Sequence, residues 1–100
     1  MLFEFDPEKS TANKAKHGID FVEAQELWED PDRLEVAARS EVEPRSIVIG
    51  RMNETTWAAC VTYRHEKAIR IISVRRARPR EKQEYERRRS STERDSGSEV

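Results

Sequence analysis

The sequence predicts an α+β domain, a mainly antiparallel sheet with helices packed on one face, in the order β-α-α-β-β-β-β-α. Three observations predict it. Before residue 30, Phe21, Ala24, Leu27 and Trp28 recur at spacings of three and four, whereas from residue 33 the apolar period is two. Helix-capping residues, glycine or proline stand where segments begin or end. The four period-two segments follow one another with short polar connections, which is how hairpin-linked strands read.

The opening LFEF reads as a short strand. Asp6-Pro7 then opens a helix, because Asp6 can cap it and Pro7 at the first helical position gives up no needed N–H. That helix runs to about Lys16. Lys16 and His17 set positive charge against its C-terminus, and Gly18 can take the left-handed cap. Asp20 and Glu23 form a capping box for a second helix, which stops before Asp30-Pro31. Leu34, Val36 and Ala38 alternate with Glu35, Ala37 and Arg39 in the next strand, and Glu41 to Pro44 is a loop. Strands follow at Ser46 to Met52, Thr56 to Arg64 and Ala68 to Arg75, with turns at 53–55 and 65–67. Trp57, Ala59, Val61 and Tyr63 share one side. Pro79 opens a last, very polar helix to about Arg89, in which Tyr85 and the flanking Ala77 are the apolar anchors.

Residues 1–89 are expected to form one domain and 90–100 a polar, disordered tail. Charged residues make up 39% of the chain, yet the apolar ones are clustered, which favours a folded domain with a heavily charged surface. One cysteine, Cys60, excludes an internal disulfide framework, and two histidines with no zinc-like spacing give no metal centre. No apolar run is long enough to span a membrane and none reads as a leader, which points to a soluble, cytoplasmic protein. No cofactor is implied.

Charge is unevenly placed. From Arg70 to Arg89 there are nine Arg or Lys against three Glu, a local net of +6 in a chain whose total is −1. A run of that kind can meet phosphate. Alternation along ISVRRA sends Arg75 and Arg76 to opposite faces, one with Ile71 and Ser73, the other with Ile72 and Val74. The arginine on the uncovered face is the better phosphate clamp.

The segments FEFDPEKSTANKAKHGIDFVEA and RIISVRRARPREKQEYE resemble the BrnT toxins of bacterial type II toxin-antitoxin systems, and the likeness spans about residues 3 to 86. Matching positions include Asp6, Lys9, Asn13, Lys16, His17, Gly18, Gly50, Arg64, Arg75, Arg76, Glu81 and Tyr85. The resemblance implies a RelE-like fold, metal-independent RNA cleavage that inhibits translation, and neutralisation by a BrnA-type antitoxin. DNA would be met only indirectly, through that antitoxin. The chain departs from the pattern at Val74 and Pro79, and its overall acidity departs from the basic character common in RNA-cleaving toxins.

Metal-free RNA cleavage uses the substrate's own 2′-hydroxyl, so the protein must move protons and stabilise a phosphate gaining charge. Arg75, Arg76, His17, Lys9 and Tyr85 are the catalytic candidates; Arg64, Lys16, Asn13 and Arg80 are the RNA-binding ones. Each has a plainer reading. Lys9, Asn13 and Lys16 make a polar helix stripe that could hold RNA or face water, and His17 could exchange a proton or sit against the helix-end carbonyls. Tyr85 could stack on a base or anchor its helix. Arg87, Arg88 and Arg89 are a solvated run or a docking surface for an acidic antitoxin segment. Trp28, Trp57 and Cys60 read as core, and His65 as a turn residue. A non-catalytic module that only binds an antitoxin and modulates operon repression is the alternative to the ribonuclease.

Overall fold

The computed structural model describes residues 2–40, 43–65 and 67–98, with side chains as far as Ser91. Glu41, Val42 and Glu66, which the sequence assigns to a loop and a turn, lie outside the described residues, as do Glu99 and Val100 of the expected tail. The elements are β1 (Leu2–Glu4), α1 (Pro7–His17), a 3₁₀ segment (Glu23–Glu29), β2 (Leu34–Ala38), β3 (Arg45–Met52), β4 (Thr55–Arg64), β5 (Ala68–Arg76) and α2 (Pro79–Ser98). The expected class and order hold. The sheet order is β1-β5-β4-β3-β2, antiparallel except that β1 runs parallel to β5.

Local chemistry sets the helix ends as the sequence indicated. Asp6 accepts from Glu8 N–H at 2.9 Å, Pro7 fills the first turn, and Gly18 closes α1 at φ +81°, which a side chain would resist. Asp20 accepts from Val22 and Glu23 N–H, and Glu23 reaches back to Asp20 N–H at 3.0 Å. The helix after this box is 3₁₀ rather than α. Only six residues lie between the box and Asp30-Pro31, and three residues per turn put Ala24 and Leu27 in line over the sheet. Leu27 packs directly over Gly50, where a Cβ would lie 3.4 Å from both its Cδ2 and its carbonyl oxygen.

The helices were expected on one face. Instead α1 and the 3₁₀ segment serve one face and α2 the other. Val48, Trp57, Ala59 and Val61 join Phe21, Ala24 and Leu27 in the main core, while Ile49 and Ala58, which face the other way, pack with Tyr85. Ile47-Val48-Ile49 is a continuous apolar run, the mark of a strand buried on both sides. The last helix also runs on past Arg89 to Ser98, over the segment expected to be a tail.

Two side chains close backbone edges that neighbouring strands are too short to cover. β1 pairs with β5 only as far as Arg70, and beyond it the Asn13 amide takes the place of a strand. Its Nδ2 donates to Val74 O at 2.9 Å and Ile19 O at 2.8 Å, and its Oδ1 accepts from Val74 N–H at 3.2 Å. On the other side β2 covers β3 only as far as Ile49. There Asp30 accepts from Arg51 N–H at 2.9 Å, from Asp32 N–H at 2.8 Å and from the Tyr85 hydroxyl at 2.7 Å. Burial opposes the Asp30 charge, but Tyr85, the two backbone donors and Arg89 outweigh it and hold the carboxyl below its ordinary value.

Asn13→Ala orphans three buried backbone groups and should cost at least about 2 kcal/mol. An unchanged urea midpoint would show that the amide is dispensable. Because the Asp30 carboxyl titrates lower in the fold than its ordinary 3.8, its contribution is full above that pH and is lost as pH falls through the lower, folded value. Tyr85→Phe should therefore reduce stability at neutral pH and flatten the acid limb of a denaturation series. Parallel acid limbs for the two proteins would contradict the assignment.

Candidate functional site

β5 carries one residue more than its partner. Pairing passes from Val61↔Ile71 to Cys60↔Ser73, so Ile72 is inserted as a bulge. The bulge reverses the parity of the residues beyond it. Ile71, Val74 and Arg76 share the main-core face, whereas Ser73 and Arg75 share the α2 face. Arg75 and Arg76 do lie on opposite faces, but Ile71 goes with Arg76, contrary to simple alternation.

The two arginines are in different chemical states. Arg75 meets Glu81 fork to fork, with Nη1 to Oε1 at 2.7 Å and Nη2 to Oε2 at 3.0 Å, and the side chains are 27% and 21% exposed. Glu81 also accepts from Arg78 N–H at 2.7 Å, so one carboxylate caps α2 and fixes it to β5. The Arg75 hydrogen bonds, against the opposing effect of burial, hold the Glu81 carboxyl below its ordinary value. Arg76 is exposed and makes no side-chain hydrogen bond or ion pair among the described residues. Its guanidinium carbon lies 6.0 Å from the centre of the Trp57 ring. Trp57 is directly opposite it in the ladder, and Ala77 N–H donates to Thr56 O at 2.9 Å just beyond. The backbone is fixed and the donors are open.

Asn13 fastens α1 to β5 two residues before Arg76. Lys9, Lys16 and His17 lie within one turn of Asn13 on the same stripe, with both lysines exposed and His17 half-buried. Neither lysine has a carboxylate partner among the described residues; the nearby Lys14 is paired with Glu23 at 2.7 Å. Helix geometry thus sets two cations and an imidazole on the same stripe of α1 as the Asn13 anchor. Asn13 itself is buried with its amide committed to backbone, so it belongs to the frame and not to an RNA contact.

Other candidates lie elsewhere. Tyr85 is 2% exposed and donates to Asp30; burial first, then that carboxylate, push its phenol well above the ordinary range, so it stays protonated and anchors α2. Proton transfer to RNA is outside its reach in this fold. Arg64 pairs with Ala68 while Trp57 pairs with Arg76, which sets Arg64 at the opposite end of the sheet, roughly 23 Å away at 3.3 Å per residue. Arg80 is exposed on the first turn of α2. Arg87 is exposed and ion-paired with Glu84 at 3.2 Å, Arg88 is exposed, and Arg89 is half-buried beside a cleft of about 510 Å³ that Asp30 and Tyr85 also line.

Some participants had no distinct signal in sequence. Trp57 reads there only as core, yet it braces Arg76. Glu81 could have been read from its place three residues after Arg78 at a proline-opened helix, the position of a capping carboxylate. Arg45 and Arg70 flank Thr62 on the half of the sheet that α2 leaves uncovered, and pleat register alone brings them together. Cys60, on the same half, is only half-buried; burial raises its thiol pKa, against the opposing charges of Arg45 and Arg75. Among the described residues, no group of three or more His, Cys, Asp or Glu side chains is arranged to hold a metal ion.

A family model described as the ribonuclease toxin BrnT of a type II toxin-antitoxin system matches residues 5–81. No curated protein matches. A solved structure, the ribonuclease toxin BrnT of Brucella abortus, is 23% identical over 78% of this chain and 99% of its own, with a TM-score of 0.58. At that identity the likeness supports the fold. The matched segment contains α1, the strands β2 to β5 and the Arg75–Glu81 pair; it begins just after β1 and ends before Tyr85 and Arg87 to Arg89.

Arg75→Ala should lower stability by about 1–2 kcal/mol and reduce helical signal, since it frees the start of α2. Arg76→Ala should leave both near wild type. Equal urea midpoints for the two variants would show that the Glu81 fork does not hold the helix.

Proposed function

This chain belongs to the BrnT family of ribonuclease toxins of type II toxin-antitoxin systems, and we propose that it cleaves RNA at the edge formed by α1 and the end of β5. The observation that carries the proposal is Arg76: an exposed guanidinium with open donors, braced on Trp57, on a strand end that Asn13 ties to α1.

The chemistry asked of these groups is modest. The substrate 2′-hydroxyl attacks the adjacent phosphorus and the bond to the 5′-oxygen breaks, leaving a 2′,3′-cyclic phosphate and a 5′-hydroxyl. Arg76 meets the charge that builds on the non-bridging oxygens, and being pre-positioned it needs no reorganisation at that moment. Lys9 and Lys16 hold flanking phosphates, which concentrates a polyanion on a chain whose net charge is −1. His17 is the proton-transfer group of the stripe. Arg75 serves indirectly, by keeping α2 in place through Glu81. Arg64 is too far from this edge to share the reacting phosphate, and Arg80 stands on the first turn of α2, the helix of the other sheet face; both contact RNA only beyond the reacting phosphate.

A BrnA-type antitoxin is the proposed partner, and DNA is met only through it. α2 is exposed along most of its described length, and Arg87 and Arg88 present positive charge for an acidic antitoxin segment. Arg89 faces the Asp30 cleft and contributes to holding α2.

The test is cleavage of RNA by the purified, antitoxin-free protein, with product ends identified. Arg76→Ala should lose about 100-fold or more in rate while keeping its fold, as removal of one transition-state donor does elsewhere. Trp57→Phe should lose less, because an aromatic face remains. Intact RNA at full protein level, with normal growth on induced expression alone, would instead mark a non-catalytic antitoxin-binding module.

A further inference from the structure

A sheet with free edges invites pairing with other chains, and this one closes parts of its own. β1 shields the first part of β5, Asn13 takes up Val74 beyond it, and Asp30 takes up Arg51 beyond the end of β2. The outer edge of β2 is different. Among the described residues, no element other than β3 hydrogen-bonds to the main chain of Leu34–Ala38. Glu35, Val36 and Ala37 are exposed, Val36 at 41%. The strand has no proline, lysine or bulge to blunt it.

Its charges select a partner. A two-fold antiparallel pair needs one residue opposite its own copy. With Val36 at the centre, Arg33 would stand opposite Arg39 of the second copy, a repulsion repeated by symmetry. With Ala37 at the centre, Glu35 stands opposite Arg39 of the second copy, twice, and Val36 stands opposite Ala38. Arg39 is exposed and has no carboxylate partner among the described residues. Glu35 accepts the Tyr63 hydroxyl on Oε2 at 2.6 Å, which leaves Oε1 for a guanidinium. Val36 and Ala38 lie on the opposite face of the strand from that ion pair, Val36 opposite Ile47 and beside the start of α2, so the contact would also cover exposed apolar surface there.

We propose that β2 pairs with β2 of a second copy of this chain, in the register centred on Ala37, joining two five-stranded sheets into one. The inference does not depend on RNA cleavage. Sedimentation equilibrium of the full chain across the micromolar range should show a reversible dimer. Arg39→Glu should weaken it about tenfold, since two attractive cross-strand pairs become repulsive, and the charge-swapped double variant Glu35→Arg with Arg39→Glu should restore it. Ala37→Cys in a Cys60→Ser background should cross-link on oxidation, because facing Cα atoms lie about 4.5–5.5 Å apart. A monomer at every concentration would overturn the proposal, whether the edge is then vacant or reserved for a strand of another protein. A dimer indifferent to the charge variants and not cross-linked through position 37 would overturn it as well.

Discussion

The three hydrogen bonds of the Asn13 amide are the contact on which the rest of the α1 side of the molecule depends. β1 is three residues long and leaves β5 uncovered after Arg70, where unpaired peptide groups would otherwise meet either the core or solvent. An amide side chain has a donor and an acceptor in the arrangement of a peptide unit, so it can substitute for a strand at one residue. Because that residue is Val74, α1 is fixed along the end of β5, two residues before Arg76, and Lys9, Lys16 and His17 lie within one turn of the anchoring amide. Frame and candidate site share a bond.

Asp30 meets the same need on the other side of the sheet by different means. It is acceptor-only, and it gathers one ladder N–H from β3, one from its own turn and the Tyr85 hydroxyl. Tyr85 belongs to α2, so the carboxylate that seals an edge also anchors a helix packed on the opposite face. The start of that helix is held by Glu81 through Arg78 and Arg75. A polar helix with few apolar residues is thereby seated by two carboxylates, one at each end of its docked portion. Charge-assisted bonds do here what burial does for the 3₁₀ segment.

The bulge at Ile72 decides how two adjacent arginines divide their duties. Without it Arg76 would leave the face of Ile71, and Arg75 would not meet α2. With it, Arg75 points to the helix and forms a fork, while Arg76 lies over Trp57 with its donors open. Similar residues in sequence acquire opposite roles, one as a clasp within the protein and one as a clamp for something outside it.

Local rules, by themselves, determined the α+β class, the caps at Asp6, Gly18 and Asp20, the four period-two strands and the alternating sides of the two arginines. Those features depend on residues a few positions apart, and periodicity and capping chemistry express them directly. Only the tertiary structure decided which strand residue is inserted, on which face α2 lies, and what Asn13 and Tyr85 bind. Asn13 and Val74 are 61 residues apart, and Asp30 and Tyr85 are 55 apart. A polar side chain in sequence shows only that it needs a partner; whether that partner is water, RNA or a distant peptide group is settled when the sheet closes and some edges are left short.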